Sequence, residues 1–257
     1  MCTDCGCSPA DPLQQDHDHG DDHTHDHHHE HDHLPRTIRV EESLLAKNDR
    51  LAERNRGRFS AFKLLVLNLV SSPGSGKTSI LERTLADLKG ELGFAVLEGD
   101  QQTANDAERI AATNVPVKQI NTGVGCHLDA HMVGHGVDEF DLAATDVLMI
   151  ENVGNLVCPA SFDLGEDHKV AVLSVTEGED KPLKYPHMFR AADLLLINKI
   201  DLLPHLRFDL EKCKAFARQV NPQIKIFELS CQTGEGMDAW YAWLRQGSAA
   251  KKKISSL

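Results

Sequence analysis

Seven short apolar runs alternate with amphipathic stretches from residue 63 onward, and this pattern limits the fold more than any other feature of the sequence. The apolar runs are residues 64–70, 94–97, 117–120, 147–150, 170–175, 194–197 and 224–229. Candidate helices between them lie near residues 77–90, 104–113, 127–138, 186–192, 209–220 and 237–246. Buried strands separated by helices are typical of a mostly parallel sheet with helices on both faces. We therefore predict an α/β fold whose ligands bind at the carboxyl ends of the strands.

The first 33 residues differ sharply from the rest, because they hold nine of the 15 histidines, nine acidic residues and no lysine or arginine. Such a low-complexity segment has too few apolar residues for a core, so we expect it to be disordered without metal. We predict a tail over 1–35, an N-terminal helical extension over 36–60, a nucleotide-binding domain over 61–248 and a flexible C-terminus over 249–257. Within the extension, a helix over 38–58 would end near Gly57.

Charge and cysteine usage exclude several classes of protein. Most of the net charge of −12 lies in the tail, and a nearly neutral body argues against a nucleic-acid binder. Seven cysteines, an odd number with three crowded at the N-terminus, do not have the pattern of a disulfide framework. We see no signal peptide and no apolar run of membrane-spanning length. We therefore expect a cytoplasmic protein with no membrane partner.

A phosphate-binding loop follows the first strand. Ser71-Ser72-Pro73-Gly74-Ser75-Gly76-Lys77-Thr78 fits the template G-x-x-x-x-G-K-[ST], except that Ser71 occupies the first glycine position. Lys77 would reach the β- and γ-phosphates, and the Thr78 hydroxyl would bind Mg²⁺. The helix that begins at Lys77 adds its positive end to the site. The predicted phosphate-side residues are Gly74, Ser75, Gly76, Lys77, Thr78 and Ser79.

A guanine-binding motif follows the sixth apolar run, at Asn198-Lys199-Ile200-Asp201. The Asp201 carboxylate can accept hydrogens from guanine N1 and the exocyclic amine, whereas adenine would leave it unpaired. The Lys199 stem can lie over the base. After the last strand, Ser230, Cys231 and Gln232 resemble the loop that covers the edge of the base. These residues predict GTP rather than ATP as the ligand.

Two further loops supply candidate groups for the phosphate side. Asp100 follows the second strand and could hold Mg²⁺ or position water, although a helix cap is the alternative. Glu151-Asn152-Val153-Gly154 follows the fourth strand and resembles the D-x-x-G switch with glutamate in place of aspartate. The Gly154 amide would then sense the γ-phosphate, although a plain turn is the alternative. We predict Lys77, Thr78, Asp100, Glu151 and Gly154 as the catalytic set.

The tail offers two kinds of metal site. Cys2, Cys5 and Cys7 can reach one ion through a single turn, and soft thiolates suit Ni, Zn or Cu(I). We expect the α-amine of residue 1 to complete a planar set that favours Ni²⁺, with Zn²⁺ as the alternative ion. The histidine run would be a weak reservoir for several ions. Its members are His17, His19, His23, His25, His27, His28, His29, His31 and His33.

A second candidate metal site lies in the body, where Cys126-His127 follows the third strand and Cys158 follows Gly154. Three ligands leave a tetrahedron incomplete, and a two-fold dimer could complete or share it. His131 and His135 continue at helical spacing from His127, so we expect them on the same helix face as reserve ligands.

Together these motifs resemble the HypB family of hydrogenase nickel-incorporation GTPases. The resemblance implies a P-loop GTPase fold of the SIMIBI class and a homodimer when GTP is bound. It also implies Ni²⁺ delivery to the [NiFe]-hydrogenase large subunit precursor, and a small nickel- and zinc-binding maturation protein as partner. By position, Cys126, His127 and Cys158 match the family's second metal site, which is placed at the dimer interface.

The predicted mechanism couples the nucleotide state to metal affinity. GTP and Mg²⁺ would order the loops after Gly99 and Gly154, and movement of the second loop would shift Cys158. We expect slow GTP hydrolysis because no arginine finger is evident. The alternatives are a urease-type nickel-insertion GTPase, against which the N-terminal cysteines argue, and a metal-storage protein with an inactive nucleotide domain.

Overall fold

A parallel sheet of seven strands in the order β3-β2-β4-β1-β5-β6-β7 forms the centre of the molecule. The computed structural model describes residues 36–100, 105–123 and 125–253. The strands are β1 (Leu65–Ser71), β2 (Phe94–Asp100), β3 (Val117–Asn121), β4 (Val147–Gly154), β5 (His168–Ser174), β6 (Leu194–Asn198) and β7 (Lys225–Glu228). Each strand lies where an apolar run predicted it, which confirms the fold class.

Helices cover the sheet. They are α1 (Arg36–Ala61), α2 (Lys77–Asp87), α3 (Asn105–Ala111), α4 (Ala130–Gly136), α5 (Lys181–Lys184), α6 (Pro186–Ala191), α7 (Leu210–Val220) and α8 (Met237–Lys253). The short helix α5 was not predicted from the sequence. Within the described ranges, none of these helices is long and apolar enough to cross a membrane.

Both faces of β1 are buried, which explains its continuous apolar sequence. Leu65, Leu67 and Leu69 belong to one core cluster, while Leu64 and Val66 belong to a second cluster on the opposite face. Successive side chains of a strand point to opposite faces, so an interior strand needs apolar residues at every position. Strand β1 therefore holds the phosphate loop rigidly at the centre of the sheet edge.

Helix α1 packs on the body through two asparagines. The Asn55 amide nitrogen donates to the carbonyl oxygens of Ala130 at 2.7 Å and Leu164 at 3.0 Å. The Asn48 side chain accepts from the Ala130 amide at 2.9 Å. Gly57 does not end this helix, as the sequence suggested; the helix continues to Ala61 because tertiary contacts outweigh the weak helix propensity of glycine.

The last helix also differs from the prediction. Helix α8 continues to Lys253, past the predicted boundary at residue 248 and into the segment expected to be flexible. Lys251 forms an ion pair with Asp167, and Lys252 forms one with Asp146 at 2.6 Å. Lys251 and Lys252 therefore hold the end of α8 against the body.

Candidate functional site

The phosphate loop connects β1 to α2 and has the backbone shape that its glycines permit. Gly74 and Gly76 adopt φ values of 76° and 97°, in the left-handed region that glycine enters without strain. A Cβ at Gly76 would lie 2.4 Å from the Asn198 side-chain nitrogen, so only glycine fits there. The loop is thus packed directly against the predicted guanine-binding motif.

Ser71, the departure from the phosphate-loop template, contacts the lysine of that template. Ser71 is fully buried, and its hydroxyl oxygen accepts from Lys77 Nζ at 2.8 Å. The same hydroxyl donates to the Ser72 carbonyl oxygen at 2.6 Å. Ser71 therefore orients Lys77, whereas a glycine there would offer Lys77 no side-chain acceptor.

One acidic side chain contacts Thr78, and two more acidic residues lie on the neighbouring strand. The Thr78 hydroxyl donates to Glu151 Oε1 at 2.7 Å, and both residues are buried. Glu98 is also buried and pairs in register with Glu151 across the neighbouring strands β2 and β4. Asp100 is the last residue of β2 and is half-buried. Carboxylates beside a hydroxyl suit Mg²⁺, so this chemistry fits the predicted ion.

Gly154 ends β4 against the phosphate loop rather than in a plain turn. It pairs in register with Ser71, and a Cβ at Gly154 would lie 3.1 Å from the Pro73 side chain. The switch-like segment therefore approaches the loop at the end where phosphate would bind.

The guanine motif is joined to the phosphate loop by hydrogen bonds. The Asn198 amide donates to the Ser75 carbonyl oxygen at 3.0 Å, and Lys199 Nζ donates to the Gly74 carbonyl oxygen at 2.8 Å. Asp201 Oδ1 is buried and has no hydrogen-bond partner among the described residues. An unsatisfied buried acceptor is costly unless a ligand supplies the donor, and guanine supplies two.

A cavity of about 620 Å³ opens between these elements. Its wall contains residues that the sequence predicted for nucleotide binding and others that it did not. The lining residues are Ser79, Glu82, Arg83, Arg109, Lys199, Asp201, Leu202, Ser230, Cys231 and Gln232. Glu82, Arg83, Arg109 and Leu202 were not predicted. The three charged residues lie on amphipathic helices, where the sequence carries no signal that separates a cavity wall from a solvated face.

The three predicted metal ligands of the body lie together. The ligand atoms of Cys126, His127 and Cys158 are all within 4.8 Å of one another, and each residue is half-buried. Burial lowers the pKa of His127, which keeps its imidazole neutral and able to bind metal. Burial and the neighbouring Cys158 raise the pKa of the Cys126 thiol. Two sulfurs and one nitrogen suit Ni²⁺ or Zn²⁺.

The helix after this cluster begins later than predicted, which separates His127 from the reserve ligands. Asp129 caps α4, and its side chain accepts from the Met132 amide at 2.8 Å. His127 therefore lies outside the helix. His131 and His135 share an exposed face, with their Nε2 atoms 3.2 Å apart. The prediction that all three share one helix face is wrong, because aspartate favours the N-cap position.

The remaining predicted positions lie partly outside the described residues. Cys2, Cys5, Cys7 and the nine histidines of the tail lie outside them, as do residues 101–104 after Asp100, Val124 and residues 254–257. Of the other cysteines, Cys213 is buried in α7, where burial raises its pKa to about 12, and it is therefore a structural residue.

Comparisons with known proteins show what this chain is similar to. The model of the CobW/HypB/UreG nucleotide-binding domain matches residues 65–228. The hydrogenase maturation factor HypB of Azotobacter vinelandii is 62% identical over 224 residues, covering 86% of this chain and 74% of that protein. HypB from Archaeoglobus fulgidus has 42% identity and a TM-score of 0.74, covering 79% of this chain and 99% of that structure. HypB from Helicobacter pylori in complex with nickel has 41% identity and a TM-score of 0.76, covering 79% and 96%.

Proposed function

Because the chain belongs to the CobW/HypB/UreG family, as one of its HypB hydrogenase maturation factors, we propose that it couples GTP hydrolysis to the delivery of Ni²⁺ into [NiFe]-hydrogenase. One observation carries the proposal. Strand β4 presents Glu151 to Thr78 and Gly154 to the phosphate loop, and the chain then leads directly to Cys158. One continuous segment thus joins the nucleotide site to the metal cluster.

GTP binding follows from the groups around the cavity. Lys77 and the loop amides bind the phosphates, and Asp201 accepts hydrogens from guanine. Thr78 and Asp100 would hold Mg²⁺, with Glu151 accepting from the Thr78 hydroxyl. The ion supplies charge neutralisation on the phosphates. Arg83 is held by Asp87 at 2.6 Å and Arg109 by Glu82 at 3.0 Å.

Arg83 is paired within α2, and Arg109 of α3 is paired with α2. With both arginines held in these ion pairs, intrinsic turnover is slow. We expect a turnover between about 10⁻⁴ and 10⁻² s⁻¹ without a partner protein.

Metal delivery follows from the position of Cys158. When the γ-phosphate draws the Gly154 amide toward the phosphate loop, the segment after β4 moves with it. Cys158 then shifts relative to Cys126 and His127, so hydrolysis changes the affinity for the cargo ion. Ni²⁺ is the cargo, in agreement with the similar Helicobacter pylori protein, whose structure was solved in complex with nickel.

A second copy of the chain completes the metal site when GTP is bound. Cys126, His127 and Cys158 supply three ligands, which leaves a fourth position for the partner copy. Val157, next to Cys158, is 63% exposed, so this side of the cluster is open to a second chain. The further partners are a small nickel- and zinc-binding maturation protein and the hydrogenase large subunit precursor. The tail would supply Ni²⁺ from Cys2, Cys5 and Cys7 and from its histidines.

The test compares Ni²⁺ binding with a GTP analogue and with GDP, in full-length protein whose Cys2, Cys5 and Cys7 are replaced by serine. We expect the nickel–thiolate absorption and the Ni²⁺ affinity to differ between the two nucleotides. The additional substitution Cys158→Ser should abolish the difference. Equal affinity with both nucleotides would overturn the coupling. Absence of GTP hydrolysis would instead favour a metal-storage protein.

A further inference from the structure

A buried lysine lies beneath the loop that carries Cys158. Lys169, the second residue of β5, is 7% exposed. Its Nζ donates to the carbonyl oxygens of Pro159 at 2.8 Å, Ala160 at 3.3 Å and Phe162 at 3.1 Å. An ammonium group has three donors, and all three are directed at the four residues that follow Cys158. Sheet and loop are therefore joined at one side chain.

The charge of Lys169 is compensated by one buried acid. Glu166 Oε1 lies 3.8 Å from Lys169 Nζ, and Glu166 is 8% exposed. Burial raises the pKa of Glu166 and lowers that of Lys169, while each partner opposes the other's shift. Replacing such a pair by apolar residues often leaves stability unchanged or higher, so stability alone does not explain it. The specific contacts of Lys169 with the loop after Cys158 indicate a role in positioning that loop.

The same network reaches the other ligand loop. Glu166 accepts from the Asn68 amide at 3.0 Å, and Asn68 Oδ1 accepts from Asn152 at 3.2 Å. Asn152 Oδ1 in turn accepts from the backbone amide of Leu128 at 3.0 Å, directly after His127. The network thus extends from the loop of Cys158 to that of His127. It passes through β1 and β4, the strands that lead to the phosphate loop and to Gly154.

A ring contact joins the loop after Cys158 to His127. The Phe162 ring lies 3.9 Å from the His127 imidazole, centroid to centroid, and the Phe162 carbonyl is one of the three acceptors of Lys169. The lysine therefore fixes the backbone of Cys158's loop and, through Phe162, one face of the His127 ring.

We propose that Lys169 is a positioning residue for the metal site, holding Cys158 and His127 at the spacing that one ion requires. The proposal rests on the proposed function, because it takes Cys126, His127 and Cys158 as metal ligands. Neither Lys169 nor Glu166 binds the metal itself. Groups that orient metal ligands are worth about 10–100-fold in metal affinity, which sets the size of the expected effect.

The experiment follows Co²⁺ binding in the full-length chain with Cys2, Cys5 and Cys7 replaced by serine. Thiolate-to-cobalt absorption reports sulfur ligands and is not produced by the histidines of the tail. We expect Lys169→Met to weaken Co²⁺ binding by about 10–100-fold and to change the absorption spectrum at saturating metal. The Co²⁺ affinity of Lys169→Gln, which keeps a neutral donor, should lie between those of Lys169→Met and the parent. Lys169→Gln takes the place of Lys169→Met if the methionine variant fails to fold.

Two controls separate the possible failures. Ile110→Val removes one buried methyl group in a core cluster that contains no residue of the loops bearing Cys126, His127 or Cys158, so it should lower stability while leaving the cobalt spectrum unchanged. A Lys169→Met spectrum and affinity equal to those of the parent would overturn the positioning role. If Cys158→Ser also left the thiolate absorption intact, the metal site of the proposed function would itself be wrong.

Discussion

The nucleotide site and the metal cluster lie at the same edge of the sheet but are built differently. Ser71, Glu151 and Asn198 are each less than 5% exposed, and they belong to strands. Cys126 and His127 belong to a half-buried loop, and Cys158 begins a single 3₁₀ turn. The first site is fixed by the sheet, whereas the second depends on loops and on the buried network beneath them.

In the proposed function, this difference separates GTP binding from metal release. Parallel strands hold the GTP-binding groups in one arrangement, which favours tight and specific binding. Loops can adopt two arrangements at low cost, so a ligand set on loops can gain or lose affinity when the nucleotide changes.

The largest expected effect is that of Lys77→Ala on catalysis. Removing the ammonium that neutralises the phosphates should lower the GTP hydrolysis rate by about 10²–10³-fold, by analogy with other lost transition-state donors. Metal binding by the nucleotide-free protein should be unchanged, because Lys77 Nζ donates to Ser71 within the phosphate loop. A single-turnover assay and a Co²⁺ titration measure the two quantities. Normal hydrolysis would refute the phosphate-loop assignment.

Next in size is the effect of Asp201→Asn on base choice. The variant loses the carboxylate that accepts from guanine, so we expect GTP affinity to fall by about 10²-fold or more. Xanthine carries an oxygen where guanine carries its exocyclic amine, and the asparagine amide can donate to it. Xanthosine triphosphate should therefore bind the variant better than the parent. Fluorescence titration with both nucleotides tests this, and Asp209→Asn, at the exposed cap of α7, is the matched control.

A smaller effect is expected from Gly154→Ala. The added Cβ would lie 3.1–3.2 Å from Pro73, so the segment after β4 must move by a few tenths of an ångström. We expect a few-fold change in the Ni²⁺ affinity ratio between the GTP-analogue and GDP states, with nucleotide binding retained. Gly57→Ala, which meets open space in α1, is the control. An unchanged ratio would mean that Gly154 does not transmit the nucleotide state.

The nucleotide site was predictable because its signals are local. The loop from Ser71 to Thr78 and the motif from Asn198 to Asp201 are short strings, and the parallel-sheet rule places both at one edge. The same rule brought Cys126 and Cys158 together. The rule could not give the start of α4, because the capping preference of Asp129 competes with the helical spacing of the histidines.

The buried network under the metal loop was not predictable in the same way. Asn68 interrupts the apolar run of residues 64–70, which was a visible sign that it has a buried partner, whereas Lys169 precedes the run of residues 170–175 and gave no such sign. The partners themselves lie far away in sequence: Asn68 binds Glu166, and Asn152 binds Leu128. Only the register between β1, β4 and β5 brings them together, and a single sequence does not contain that register.

The smallest expected effect concerns Ser71, where this chain departs from the phosphate-loop template. Ser71→Gly removes the acceptor of Lys77, so the lysine loses a hydrogen bond worth about 1 kcal/mol. Because the phosphates of GTP also hold Lys77, hydrolysis should change by no more than a few-fold, while thermal stability without nucleotide should fall. Ser71→Ala, which lacks the hydroxyl but keeps Cβ, separates the hydrogen bond from backbone freedom. A large loss of hydrolysis in both variants would place Ser71 among the catalytic groups. The phosphate loop would then depend on a buried residue beneath it, as we propose for the metal site.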